Sequence, residues 1–153
     1  MTGIILGVES TAHTLSLGFV GEDGTLFSSE SALFKPEEGG IHPREAADHH
    51  SIKAPELISR LLSREDFNEE DVIAVSFSQG PGLGPCLRIG ASVARSLSSI
   101  WNVPLIGVNH CVAHIEIGRN QTGCEDPVLL YASGGNTQVI ARAGDRYRVI
   151  ERL

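Results

Sequence analysis

"IILGVESTAHTLSLGFVGEDGTLFSSESALF" (residues 4–34) is the stretch whose reading decides the fold. An apolar run ends in the polar loop "ESTAHT" (9–14), "TLSLGFV" (14–20) alternates apolar and polar residues, and "GEDG" (21–24) makes a turn. "TLFSSESALF" (25–34) is a third strand candidate. Alternating runs bounded by Gly and Asp read as a strand meander. The layout returns at residues 127–153, where "PVLLYAS", the small polar loop "SGGNT", "TQVIARAG" and "RYRVIERL" follow one another. The likeness is one of pattern rather than identity, and it suggests a duplication at the scale of a lobe.

Between the meanders the period changes. "KPEEGGIHP" (35–43) is a breaker-rich loop. From Arg44 to about Ser63, the residues Ala46, His50, Ala54, Leu57 and Leu61 share one helical face. Pro55 inside that run predicts a kink or a restart. "VIAVSFS" (72–78) reads as a buried strand, "QGPGLGP" (79–85) as a tight turn, and residues 86–100 as a helix facing inward with Ile89, Val93, Leu97 and Ile100. "PLIGVNH" (104–110) is a further strand, followed by a helix. The order predicts an α/β protein with a mixed sheet in residues 1–125 and the opening meander of a second lobe in 126–153. No helix follows to cover that second sheet, so the chain reads as the front part of a longer protein.

The 41% hydrophobic and 20% charged fractions are those of a soluble globular protein, with a net charge of −7. That charge excludes a whole-surface grip on nucleic acid and leaves room for a local basic patch. Cys86, Cys111 and Cys124 lack CxxC spacing and are odd in number, which points to a reducing cytoplasm. No apolar run approaches the ~20 residues that span a bilayer, and "MTGIILGVES" lacks the basic start of a signal peptide.

Four stretches carry candidate chemistry. In "GVNHCVAHIEIGR" (107–119), His110 and His114 stand at i and i+4, so both imidazoles can reach one ion. Spacing alone leaves two outcomes open: a metal pair, or two histidines satisfied by backbone or a carboxylate. A metallopeptidase needs Glu directly after the first histidine, and that position is Cys111. "YASGGNT" (131–137) ends a strand in small residues whose backbone N–H groups suit phosphate oxygens; an ordinary hairpin turn explains it equally well. "SQGPGLGP" (78–85) is neither a Walker A loop nor GxGxxG, which leaves a tight strand-to-helix turn and an anion contact at the following helix N-terminus both open. In "GGIHPREAADHH" (39–50), His42, Asp48, His49 and His50 look like a metal cluster, but His49 and His50 are adjacent and cannot both face one way on a helix, so packing or solvation is their default.

"GVESTAHT", "GGIHPREAADHH", "FSQGPGLGPCLR", "GVNHCVAHIEIGR" and "YASGGNTQV" occur in this order. Together they closely resemble the archaeal and eukaryotic branch of the TsaD/OSGEP family, from Ile4 to the last residue. The resemblance implies an actin-like ATPase fold of two ribonuclease H-like lobes. It also implies transfer of the threonylcarbamoyl group from threonylcarbamoyl-AMP to N6 of adenine 37 in tRNAs that read ANN codons. It places such a protein in the KEOPS complex, beside a small atypical kinase, a dimerising subunit and a kinase regulator.

Carried over by motif, His110, His114 and Tyr131 are metal ligands, with iron or zinc as the ion. Tyr131, Ala132, Ser133, Gly134 and Gly135 form the substrate-binding run, facing the phosphate of the adenylate or of another AMP- or ATP-type ligand. The family's remaining ligand, an aspartate, belongs to the second lobe and has no counterpart in these residues. Glu9 is the candidate for positioning or activating the tRNA amine. This chain has His13 and Thr14 where bacterial members carry an acidic pair. The competing readings are another actin-like ATPase or sugar kinase using Mg–ATP, and an inactive scaffold of the same fold.

Overall fold

The computed structural model describes residues 3–36, 38–133, 136–143 and 146–152. By its contacts the chain forms two compact units, Met1–Val108 and Asn109–Leu153. In the first, β1 (Ile4–Glu9), β2 (Thr14–Gly21) and β3 (Leu26–Leu33) make the expected antiparallel meander, with Val8 opposite Leu17. Strand β4 (Val72–Gly80) lies parallel to β1 on its other edge, and β5 (Leu105–Asn109) completes the order β3-β2-β1-β4-β5. A meander extended by a parallel strand that arrives through a helix is the ribonuclease H-like arrangement that the resemblance implies.

Helices α1 (Pro43–Leu62) and α2 (Gly84–Trp101) close a core on one sheet face. Leu6 and Val8 of β1, Leu15, Leu17 and Phe19 of β2, and Val75 of β4 meet Ala54, Leu57 and Leu61 of α1 and Ala94 and Leu97 of α2. Alternation sends every second strand residue to that face. On α1 the predicted inward residues Ala46, His50, Ala54, Leu57 and Leu61 are all buried. Pro55 does not restart the helix, which runs unbroken from Pro43 to Leu62. Pro55 and Ser51 both lie on the exposed side, where the carbonyl deprived of its partner meets water.

The inward face of α2 differs from the predicted one. Its buried residues are Cys86, Gly90, Ala94, Leu97 and Ser98, while Ile100 is 71% exposed. Small residues win because the helix comes close to the end of β1. A Cβ on Gly90 would stand 2.1 Å from Ser10 Oγ. Gly90→Ala is therefore expected to lower stability by about 1–3 kcal/mol, as overpacked cores do; urea unfolding of the parent and variant checks it. The preceding turn is also tighter than predicted, since β4 continues to Gly80 and α2 starts at Gly84. Gly80 has φ +143°, a backbone that favours glycine. The 3-10 turn Glu69–Asp71, capped by the Asn68 side chain, has no signal in the apolar periodicity.

The second unit contains α3 (His110–Thr122), β6 (Val128–Ser133), β7 (Asn136–Ala143) and β8 (Arg146–Arg152). Its strands pair antiparallel in the order β6-β7-β8. Their lengths of 6, 8 and 7 residues are close to the 6, 8 and 8 of β1 to β3. Ser133 pairs with Asn136, so the two strands run further into the expected loop than the sequence suggested. Cys111 and Ile115 of α3 are buried against Ile140 of β7, with Leu129, Tyr131 and Tyr147 around them. By packing, α3 thus groups with β6 to β8. Among the described residues, no helix is long and apolar enough to cross a membrane.

Candidate metal centre

Asn109 sets the start of α3. Its side-chain oxygen accepts the N–H groups of Cys111 at 2.9 Å and Val112 at 3.3 Å, satisfying two donors of the first turn. Gly123, at φ +69°, ends the helix. With Cys111 and Ile115 in the core, His110 and His114 fall one step round the helix, His110 half-buried and His114 exposed. Burial pushes the Cys111 thiol up, away from the thiolate form that binds metals.

The two imidazoles converge. His110 Nε2 and His114 Nε2 lie 3.1 Å apart, and the rings meet edge to face with centroids 4.5 Å apart. The Tyr131 ring of β6 stands 6.0 Å from His110 and 5.9 Å from His114. Among the described residues no group of three His, Cys, Asp or Glu side chains is placed to hold a metal ion, so Tyr131 is the third donor to consider. The donor set fits an ion. Zn–N bonds of about 2.0–2.1 Å in a tetrahedral site put neighbouring nitrogens roughly 3.3 Å apart. Two imidazole nitrogens at this spacing suit a transition-metal ion. Ala132 and Ser133 follow Tyr131 and are exposed. Gly134 and Gly135 lie outside the described residues.

Glu9 belongs to the first unit, at the ends of β1 and β4. One carboxylate oxygen accepts the Thr11 N–H at 2.6 Å, and the other accepts the Ser78 hydroxyl. The rest of "ESTAHT" is tied down as well. Leu83 N–H donates to the Thr11 carbonyl at 2.7 Å, and Phe34 N–H to the His13 carbonyl at 2.7 Å. A Cβ on Gly82 would stand 2.5 Å from the Thr11 oxygen, so only glycine allows this approach of "SQGPGLGP" to the first loop. That glycine-rich stretch thus has a structural use that the sequence left undecided.

His50 is the residue whose place in this loop the sequence did not foretell. It is fully buried, and its Nε2 lies 2.9 Å from the Ala12 carbonyl, which accepts the Nε2–H. Its Nδ1 faces Nδ1 of His49 at 3.4 Å. Burial holds His50 below the ordinary histidine value, against the pull of the Ala12 carbonyl; burial also lowers His49. The unfolded chain therefore binds protons first as pH falls. The stability held by neutral His50 is full above ~6.5 and is lost below it. Melting temperature should fall between pH 7.5 and 5.5, and by less in a His50→Gln variant; equal falls would remove His50 as the cause.

The family model described as TsaD, tRNA N6-adenosine threonylcarbamoyltransferase, matches residues 25–153. The chain belongs to this family. It is 57% identical over 146 residues to the tRNA N6-adenosine threonylcarbamoyltransferase of Archaeoglobus fulgidus, and 51% identical to that of Caldivirga maquilingensis. It is 54% identical to a probable bifunctional tRNA threonylcarbamoyladenosine biosynthesis protein of Methanocaldococcus jannaschii. Each match covers 95% of this chain, but only 44%, 44% and 27% of the respective relative. The chain thus spans under half the length of these TsaD-type relatives.

Solved structures share the fold at low identity. YeaZ from Pseudomonas aeruginosa aligns with TM-score 0.67 at 16% identity, covering 98% of this chain and 65% of that one. The ethanolamine utilization protein EutJ of Carboxydothermus hydrogenoformans aligns with TM-score 0.55 at 15% identity, covering 100% and 52%. A putative N-acetylmannosamine kinase of Listeria monocytogenes aligns with TM-score 0.54 at 16% identity, covering 95% and 49%. They establish an actin-like α/β fold for this TsaD-family chain and carry nothing about its chemistry.

Proposed function

We propose that this chain is the N-terminal part of a threonylcarbamoyltransferase acting on adenine 37 of ANN-decoding tRNAs, with a first lobe in residues 1–125 and a second beginning at 126. One observation carries the reading: in a TsaD-family chain, His110 Nε2 and His114 Nε2 converge to 3.1 Å beside Tyr131. His110, His114 and Tyr131 would hold one iron or zinc ion. Bound there, the ion supplies positive charge for the oxygen that gains electron density during acyl transfer.

In that reaction the N6 amine of adenine attacks the carbamoyl carbonyl carbon of threonylcarbamoyl-AMP. The new C–N bond forms, the C–O bond to phosphate breaks, AMP leaves and the amine gives up one proton. The run Tyr131 to Gly135 would bind the adenylate phosphate through backbone N–H groups. Glu9, held by Thr11 and Ser78, would position the amine and take its proton. No enzyme nucleophile is needed, and burial pushes the thiols of Cys86 and Cys111 up, out of that role. The protein would act in the cytoplasm with KEOPS partners: the small atypical kinase, the dimerising subunit and the kinase regulator.

The test is a tRNA-modification assay with the protein extended to its relatives' length, its KEOPS partners and threonylcarbamoyl-AMP. Modified adenosine should accumulate with AMP in equal amounts. The 153-residue chain alone, with the same partners, should give none. Failure of the complete assembly to modify tRNA would remove the enzyme reading, and turnover by the short chain would remove the claim that it lacks part of the site.

A further inference from the structure

The motif around the histidines has a second half, Glu116 and Arg119 of "HIEIGR", which the metal reading leaves unused. Both reach Tyr147 of β8. The Tyr147 hydroxyl donates to Glu116 Oε1, and Arg119 Nη1 donates to the two Glu116 oxygens at 3.2 and 3.0 Å and to the Tyr147 oxygen at 3.2 Å. Tyr131 and Tyr147 stand on the two outer strands of the sheet β6-β7-β8. Helix α3 therefore crosses all three strands. Its histidines lie by Tyr131, Cys111 and Ile115 sit on Ile140 of the central strand, and Glu116 and Arg119 are tied to Tyr147.

The apolar contact is small, and apolar contact is non-directional. By itself it holds α3 against the sheet without fixing its roll. Hydrogen bonds at the far strand are directional and so supply the orientation that apolar contact lacks. A roll of ~20° at the helix's side-chain radius of about 5–6 Å would carry each imidazole roughly 2 Å. Metal–ligand distances tolerate only about 0.2 Å.

We propose that Glu116, Arg119 and Tyr147 form the positioning lock of the metal centre, setting the roll of α3 and so aiming His110 and His114 at the point they share with Tyr131. This rests on those three residues being ligands. None of the lock residues touches the ion; they act through the helix.

The test is zinc and cobalt(II) binding by the protein extended to the length of its relatives and by its Tyr147→Phe variant, which keeps the packed ring and removes only the hydroxyl. By chelator competition, the zinc dissociation constant should rise about tenfold, the low end for residues that support metal ligands. The d–d bands of cobalt at saturation should also move, which a merely less stable fold would not cause. Glu116→Gln should act alike, and the double variant should be no weaker than the weaker single one, because each breaks the same lock. If Tyr147→Phe does not fold, Glu116→Gln alone reads the effect. Affinity within twofold of the parent, with unchanged cobalt bands, overturns the lock while the ligands stand. A full-length parent that binds no zinc overturns the ligand assignment and the lock with it.

Discussion

The double variant His110→Ala/His114→Ala, in the protein extended to the length of its relatives, should lose its metal and its activity together. Bound iron or zinc should fall from about one ion per chain to background, because a site losing two of its imidazoles keeps too few donors to hold the ion. Transfer to tRNA should fall by about a thousandfold or more, the order expected when the group that stabilises transition-state charge is removed. The fold should survive. His114 is exposed and His110 half-buried, while the packed side of α3 is made by Cys111 and Ile115. Elemental analysis with a single-turnover assay checks both losses. A variant that kept full metal content would mean that other residues bind the ion, and one that lost metal but kept its rate would mean that the ion is not used.

Glu9→Gln should leave metal content unchanged and slow transfer by about 10²–10⁴-fold, the range for a positioned general base. Glutamine keeps a carbonyl oxygen that can accept from Thr11 N–H or the Ser78 hydroxyl, so the loop should hold its shape. What it loses is the ability to take a proton. Single-turnover rates across pH give the comparison. A loss of less than tenfold would assign Glu9 to clamping the first loop and take the proton from it.

The meanders, the two long helices and the strands after them were legible because burial imposes its own period. Leu15, Leu17 and Phe19 alternate, and Ala46, His50, Ala54, Leu57 and Leu61 recur every three or four residues. What periodicity could not reveal lies where small residues replace large ones. The inner face of α2 is Cys86, Gly90 and Ala94, chosen by the nearness of Ser10, and a search for bulky apolar residues finds Ile89 and Val93 instead. The spacing of His110 and His114 named the pair, but the approach of Tyr131 depends on how α3 lies on β6, which no local pattern encodes. The same holds for His50, 38 residues from the carbonyl it binds. Long-range polar contacts of this kind follow from the tertiary fold, so they became visible only with it.

The most direct test of the proposed centre is the X-ray absorption fine structure of the zinc-loaded protein, extended to the length of its relatives. Two imidazole rings should appear, with nitrogen or oxygen donors at about 2.0–2.2 Å and no sulfur shell near ~2.3 Å. One light donor should disappear, or be replaced by a longer one, in Tyr131→Phe. A single imidazole, a sulfur donor from Cys111 or Cys124, or a spectrum unchanged by Tyr131→Phe would contradict a centre built from His110, His114 and Tyr131.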